Sequence, residues 1–288
     1  MIKINYKVYD EKRYPNAELM IANIEEINFT ENTIRVFYNS DKDLFNMFMI
    51  TKYLRDYNPD MKINLFMPYV PYSRMDRRQE SYGFSLKYVC DLINSLNFNR
   101  VDILEPHSSM TTALLNNCYH ADSSVALFKH IFKEIYYNGY VMFPDAGAEK
   151  RYSGEFKEYD ILVGNKKRDF KTGEILGLDI VGDEDLKGRE VVIIDDLSSR
   201  GGTFYYSALA LKKINAGNIL LIVTHCENTV TYGELVKDTS PIEHIYTTDS
   251  IYTSICDKIT VYKCERMVAN GLLFKRWKCF KQTVDRVQ

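Results

Sequence analysis

No two of the six cysteines in this 288-residue chain stand in a C-x-x-C arrangement, and no histidine cluster accompanies them. Cys90, Cys118, Cys226, Cys256, Cys264 and Cys279 therefore read as reduced, small apolar side chains rather than a disulfide frame or a zinc site. No apolar run approaches the ~20 residues that a membrane-spanning helix requires, and the polar opening MIKINYKVYDEKR lacks the apolar centre of a secretory leader. No membrane association is expected, and the cytoplasm is the expected compartment. An excess of one charge is also missing. The 37 basic and 39 acidic side chains leave a formal charge of −2, which provides no bulk attraction to nucleic acid, so any anion site has to be local. No linker rich in Pro, Gly or Ser divides the chain and no repeat is visible by identity. Yet 288 residues are enough for two domains that each bury a core.

What is present is a regular alternation of strand-like and helix-like segments. Apolar or alternating runs at 33–39, 62–67, 100–104, 140–143, 159–163, 175–181, 191–194, 218–224 and 245–248 predict strands. Helical spacing predicts helices from 41 to 57, stopped by Asn58-Pro59, and over 84–96, 121–137 and 204–214, the last capped by Gly217. The order β, α, β, α in both halves implies two α/β domains meeting near 120–125.

Residues 191–204, VVIIDDLSSRGGTF, are the most informative stretch. Val191, Val192, Ile193 and Ile194 suit a strand buried on both faces of a parallel sheet, and the residues from Asp195 to Thr203 read as the loop leading into a helix. Ligands of open α/β folds bind at such strand ends. Gly201 and Gly202 permit close backbone approach, Ser198, Ser199 and Thr203 offer hydroxyls, and the unpaired N–H groups of the following helix favour a phosphate. Asp195 and Asp196 are suited to accept hydrogen bonds from a ribose diol.

Other segments carry charge at strand ends. In MPYVPYSRMDRRQ (67–79), Pro68 and Pro71 end the strand, and Arg74, Arg77 and Arg78 surround Asp76 with Tyr69 and Tyr72 just before. Such a loop either neutralises itself in solvent or sets guanidinium groups on phosphates with aromatic rings near a base. Glu105-Pro106-His107 follows the strand at 100–104, where the acid and the histidine are either structural or share a cation. Pro144-Asp145-Ala146-Gly147 is a second carboxylate-and-glycine turn. NKKRDFKT (165–172) holds Lys166, Lys167, Arg168 and Lys171 with Asp169, and reads as a solvated loop.

Taken together, these segments resemble ribose-phosphate pyrophosphokinase, also called phosphoribosyl pyrophosphate synthetase, over nearly the whole chain. MPYVPYSRMDRRQ is similar to the family's P-Y-x-x-Y-A-R-Q-D-[RK]-K, FPDAGAEKR to S-P-D-x-G-G-x-x-R, and VVIIDDLSSRGGT to the ribose 5-phosphate loop D-D-x-x-D-T-x-G-T. EPH resembles D-L-H, YPNAE (14–18) resembles F-x-[DN]-G-E, and NKKRD resembles the family's flexible catalytic loop. The resemblance implies two tandem phosphoribosyltransferase-like domains, each a mostly parallel sheet flanked by helices. An ATP-side domain would span 1–122, joined by a C-terminal helix at 270–288, and a ribose 5-phosphate domain would span 123–269.

It also implies a reaction in which ATP and ribose 5-phosphate, with Mg²⁺, give phosphoribosyl pyrophosphate and AMP. Lys166, Arg168 and His107 would be catalytic, and Tyr14, Asn16, Glu18, Arg74, Asp76 and Arg77 would bind ATP. Asp195, Asp196, Ser198, Ser199, Arg200, Gly201, Gly202 and Thr203 would bind ribose 5-phosphate, while Glu105, His107 and Asp145 would set magnesium. An adenine pocket completed by a neighbouring chain implies a homo-oligomer, at least a dimer and up to a hexamer. The chain departs from the family pattern at Ala17, Met75, Glu105, Ala148, Ser199 and Arg200, the last two removing a carboxylate and adding a guanidinium at the sugar-phosphate loop. Two other readings compete: a phosphoribosyltransferase that makes a nucleotide from a base, and a non-catalytic subunit associated with a synthetase.

Overall fold

The computed structural model describes residues 1–21, 24, 27–79, 81–133, 137–168, 175–182 and 184–269. The chain forms two compact units that meet between Ala121 and Asp122. The helix expected at 270–288 lies outside the described residues.

In the first unit the elements are β1 (Ile2–Ile4), β2 (Lys7–Val8), β3 (Lys12–Arg13), β4 (Leu19–Met20), β5 (Glu31–Val36), α1 (Asp41–Tyr57), β6 (Lys62–Phe66), α2 (Ser85–Ser95), β7 (Arg100–Leu104), α3 (Ser109–Leu114) and β8 (Cys118–Ala121). Six strands form one sheet in the order β2-β1-β5-β6-β7-β8, with β5 to β8 parallel and β1 antiparallel to both its neighbours. Parallel neighbours need a crossover, and α1, α2 and α3 supply it. Leu44, Met47, Ile50 and Leu54 line the buried side of α1, and Leu86, Val89, Cys90 and Ile93 that of α2. The N-terminus of α1 is closed by the Asp43 carboxylate, which accepts from the Ser40 N–H at 3.2 Å and the Asn39 N–H at 2.8 Å. β3 and β4 form a separate antiparallel hairpin.

The second unit contains α4 (Ser123–Ile131), β9 (Tyr140–Phe143), α5 (Ala146–Tyr152), β10 (Asp160–Arg168), β11 (Ile175–Val181), β12 (Val191–Ser198), α6 (Gly202–Lys213), β13 (Ile219–Cys226), β14 (His244–Thr248), β15 (Ile259–Tyr262) and α7 (Cys264–Ala269). Its seven-stranded sheet runs β11-β10-β9-β12-β13-β14-β15 and is parallel except for β11. Val191, Val192, Ile193 and Ile194 are fully buried at the centre of this sheet, as expected of a strand covered on both faces.

Several expectations from the sequence are corrected. The strand at 191–194 does not end before the two aspartates but runs to Ser198, because β13 continues to pair with it through Leu197↔His225 and Ser198↔Cys226. The connection to the next helix is thereby reduced to Ser199, Arg200 and Gly201. The basic segment at 165–168 continues β10 instead of opening a loop, since Lys166 and Lys167 face Leu178 and Gly177 across an antiparallel ladder. Among the described residues the helix expected over 121–137 covers Ser123–Ile131: residues 118–121 belong to β8, and the rings of Phe132 and Tyr137 lie 4.5 Å apart. Gly217 does not cap α6. The reversal is made by Asn215 at φ 59°, and Gly217 is instead required where Gly188 O would lie 2.2 Å from a Cβ.

Candidate functional site

The chain order places the topological switch of the second sheet between β9 and β12. After β9 the chain moves to β10 on one side, and after β12 it moves to β13 on the other, so the strands' carboxyl ends open a crevice there. Pairing between β9 and β12 stops at Met142↔Ile193, while β12 extends beyond it. Asp195 and Asp196 lie in that extension, and Asp145 begins the loop opposite. Asp145 caps α5, its carboxylate accepting from the Ala148 N–H at 3.0 Å.

The short connection after β12 is built around Gly201. This residue stands at the N-cap of α6 with φ 80°, and a Cβ there would lie 2.1 Å from Leu235 Cδ1. Both the backbone conformation and the close approach exclude larger residues. Gly202, by contrast, would direct a Cβ into open space, so the outer side of the loop is clear. The first N–H groups of α6 face that space with no intrahelical acceptors, which is the arrangement that receives a phosphate. Thr203 lies in the first turn. Ser199 Oγ is 3.2 Å from Thr229 Oγ1, which in turn donates to Glu227 Oε2 at 3.3 Å. Arg200 is exposed, and no ion pair holds it among the described residues. Ser198 is buried within the strand and its hydroxyl donates to Ser199 O at 3.5 Å.

The two aspartates are held differently. Asp196 is 3% exposed and its Oδ2 lies 2.8 Å from Arg151 Nη1 of α5. Burial opposes the charge on Arg151, but the Asp196 carboxylate more than compensates, and the guanidinium pKa is raised. Asp195 accepts the Asp196 N–H at 2.9 Å and forms no ion pair among the described residues. Burial, then the charges of Asp196 and Asp145, pushes its carboxyl well above the usual carboxylate range. Arg151 was not singled out in the sequence, although it closes the FPDAGAEKR segment. Its position on α5, six residues beyond the capping aspartate, was the available signal.

In the first unit, the segments that follow β6 and β7 run side by side. Leu104 N donates to Pro68 O at 3.0 Å, and Ser108 Oγ donates to Asp76 Oδ2 at 2.7 Å. Arg77 Nε is 3.0 Å from Asp76 Oδ1. Against the upward push of burial, the Ser108 hydroxyl and the Arg77 charge hold the Asp76 carboxyl below its usual value. Arg74 and Arg77 are exposed. Glu105 is fully buried at φ 35°, an uncommon backbone conformation for such a residue, and its N–H donates to Ala121 O at 2.8 Å. His107 is half-buried on the same segment. Among the described residues, no group of three or more His, Cys, Asp or Glu side chains comes together as a metal centre.

Tyr14, Asn16 and Glu18 form the exposed tip of the β3–β4 hairpin. Tyr14 N donates to Glu18 O at 2.9 Å, and Arg13 Nη1 donates to Ala17 O at 2.6 Å. Arg13 and Glu11 anchor the hairpin to Asn46 of α1 through bonds of 3.0 and 2.8 Å. Lys166 and Arg168 lie on β10, and their side chains are outside the described residues.

These features define a class: a tandem α/β protein whose second sheet carries a short glycine-cornered loop, open on its outer side, at its switch point. No protein-family model matches the chain. It is 28% identical over 283 residues to a ribose-phosphate pyrophosphokinase of Sulfolobus acidocaldarius, covering 94% of this chain and 92% of that one. A ribose-phosphate pyrophosphokinase of Nitrosomonas europaea is 27% identical over 290 residues, covering 94% and 88%. The crystal structure of phosphoribosylpyrophosphate synthetase from Mycobacterium smegmatis superposes with a TM-score of 0.72 at 17% identity, over 91% of this chain and 88% of that chain. The fold is that of this synthetase. Along nearly its whole length the chain is thus similar, at 27–28% identity, to enzymes named ribose-phosphate pyrophosphokinase.

Proposed function

We propose that the protein transfers the pyrophosphoryl group of ATP to the 1-hydroxyl of ribose 5-phosphate, giving phosphoribosyl pyrophosphate and AMP. The observation that carries this reading is the Asp195–Gly201 pairing at the β12 end. A carboxylate suited to a ribose diol stands directly before a glycine-shaped anion cradle whose outer side is open. Gly201, Gly202 and Thr203 receive the 5-phosphate through backbone N–H groups and a hydroxyl, with Ser199 and Arg200 at the rim. Asp195 accepts from the ribose hydroxyls, and Asp196, with Ser198 behind it, supports the strand end.

Arg74, Asp76 and Arg77 meet ATP in the first domain, and Tyr14, Asn16 and Glu18 line the adenine pocket of an adjacent chain. The exposed hairpin tip supports that last role, and with it a homo-oligomer. Lys166 and Arg168 act on the transferring group, where positioning and neutralisation of the developing charge carry the chemistry.

Magnesium fits the donor chemistry on one observation. Burial and then the Asp196 and Asp145 carboxylates raise the Asp195 pKa, and a hard divalent cation at that edge would relieve the carboxylate crowding. Asp145 would hold such an ion in the second unit, and Glu105 and His107 would hold one on the segment after β7 in the first. The ion supplies neutralisation of phosphate charge when bound.

Phosphorus NMR of the purified protein with ATP, Mg²⁺ and ribose 5-phosphate tests the proposal. AMP and a new pyrophosphate ester are expected. Absence of conversion, or nucleotide formation from a base and phosphoribosyl pyrophosphate in its place, would overturn it. Lys166→Ala should lower turnover by about 10²-fold or more while ribose 5-phosphate affinity is kept.

A further inference from the structure

The loop that follows β6 contains a residue in an unfavourable conformation. Tyr72 has φ 62°, in the left-handed region that aromatic side chains rarely adopt. A backbone of this kind persists only where its surroundings hold it. Here the holding group is Asp41, the first residue of α1. Tyr72 Oη donates to Asp41 Oδ1 at 2.7 Å, and Tyr38 Oη donates to the same oxygen at 2.8 Å. Both are charge-assisted O–H···O⁻ bonds, the stronger class of protein hydrogen bond. The ring of Tyr38 lies 6.3 Å from that of Tyr69, so the same cluster also contacts the start of the loop. Asp41 itself stands in the first turn of α1. The hydrogen bond to Asp41 is also the leading cause of the raised Tyr72 pKa.

What depends on Tyr72 is the direction of the chain that follows it. Met75 N donates to Tyr72 O at 2.8 Å, closing a turn, and Leu86 N donates to Met75 O at 3.2 Å. Between them lies Arg74, and just beyond lie Asp76 and Arg77. Residues 72–77 thus form one turn whose entry is fixed by a hydroxyl–carboxylate bond and whose exit is fixed by the Ser108–Asp76 bond. Were Tyr72 to relax to negative φ, the turn would open and Arg74 would be re-aimed.

We infer that Asp41 is a positioning residue which, through the Tyr72 hydroxyl, holds the 72–77 turn in the conformation that presents Arg74 and Asp76 to the nucleotide phosphates. The holding of the turn stands on geometry alone, and its consequence for the nucleotide rests on the proposed function.

Two measurements on the full chain test it, each comparing wild type with Asp41→Ala and Tyr72→Phe. The first is limited trypsin digestion, because Arg74, Arg77 and Arg78 are exposed cleavage sites within or beside the turn. Both variants should be cut there about tenfold faster than wild type, the factor expected on losing a charge-assisted hydrogen bond, with an unchanged melting transition for the rest of the protein. An unchanged cleavage rate overturns the inference whatever the enzyme does.

The second measurement is steady-state kinetics. KM for ATP should rise about tenfold in both variants, while KM for ribose 5-phosphate and kcat stay within about twofold. Faster cleavage with an unchanged KM for ATP overturns the positioning role, as does an equal rise in both KM values. A wild-type protein that does not convert ATP refutes the proposed function, and the trypsin result then judges the clamp separately. Tyr72→Phe keeps the ring and removes only the hydroxyl, so its agreement with Asp41→Ala distinguishes the clamp from a change in α1.

Discussion

Replacing Arg151 with methionine isolates the pair that supports the candidate sugar-phosphate site. The guanidinium lies 2.8 Å from Asp196 Oδ2, and the two side chains are 29% and 5% exposed. The variant leaves a carboxylate in an almost closed environment with its cation removed. Breaking a buried ion pair from one side costs about 3–5 kcal/mol, and the partial exposure of Arg151 lowers this to about 2–4 kcal/mol. At ~2–4 °C per kcal/mol for domains of this size, the melting temperature should fall by roughly 4–16 °C.

The cost belongs to the unpaired charge and not to the lost contact, so removing both partners should restore most of it. Arg151→Met combined with Asp196→Leu is expected within about 1 kcal/mol of wild type, since apolar replacement of a whole buried pair is often neutral. It also withdraws one of the charges that crowd Asp195. Urea denaturation of wild type, the two single variants and the double variant closes a double-mutant cycle. The reasoning fails if Arg151→Met lies within about 1 kcal/mol of wild type, or if the double variant is no more stable than it.

Asp195 provides a prediction with a defined sign. Its folded-state pKa lies above the unfolded value, so the residue costs nothing at pH below that ordinary value, where it is protonated in both states. Stability falls as pH rises through the window between the ordinary and the raised value, and the full cost remains above it. Asp195→Asn should therefore match wild type near pH 3 and exceed it at pH 7–8 by on the order of 1 kcal/mol, in thermal unfolding without ligands or divalent cations. A difference that does not grow with pH would contradict this origin. At the hairpin tip, Ala17 stands at φ 68°, where the family pattern has glycine. Ala17→Gly should release about 1–2 kcal/mol of left-handed strain against about 0.4–1 kcal/mol of added unfolded-state entropy, a net gain near ~0.5–1 kcal/mol by urea denaturation. A loss of stability would show that the Arg13 bond to Ala17 O already compensates the strain.

What could be read from the sequence follows from where each segment's signal comes from. Central parallel strands are apolar on both faces, so the runs at 140–143 and 218–224 were recognisable and coincide with β9 and with most of β13. Edge strands and short helices carry no such period. β2, β3 and β4 span two residues each, and α3 and α5 are too short to show an amphipathic repeat. The boundary after Ile194 was misplaced because aspartates are depleted in strands, and only the continued pairing with β13 keeps Asp195 and Asp196 in one.

The same distinction governs the site. Gly201 was legible because a positive φ and a close approach demand glycine, a requirement local to its own loop. Arg151 and Asp41 were not, since each acts through a residue more than 30 positions away: Arg151 on Asp196, and Asp41 on Tyr72. Asp195 and Asp196 are identical in type and adjacent in sequence. One is paired with the guanidinium of α5, whereas the other is crowded by the charges of its neighbour and of Asp145. Nothing within the stretch from Val191 to Phe204 divides those roles. They are divided by α5 and by the end of pairing between β9 and β12, which only the folded sheet brings beside them.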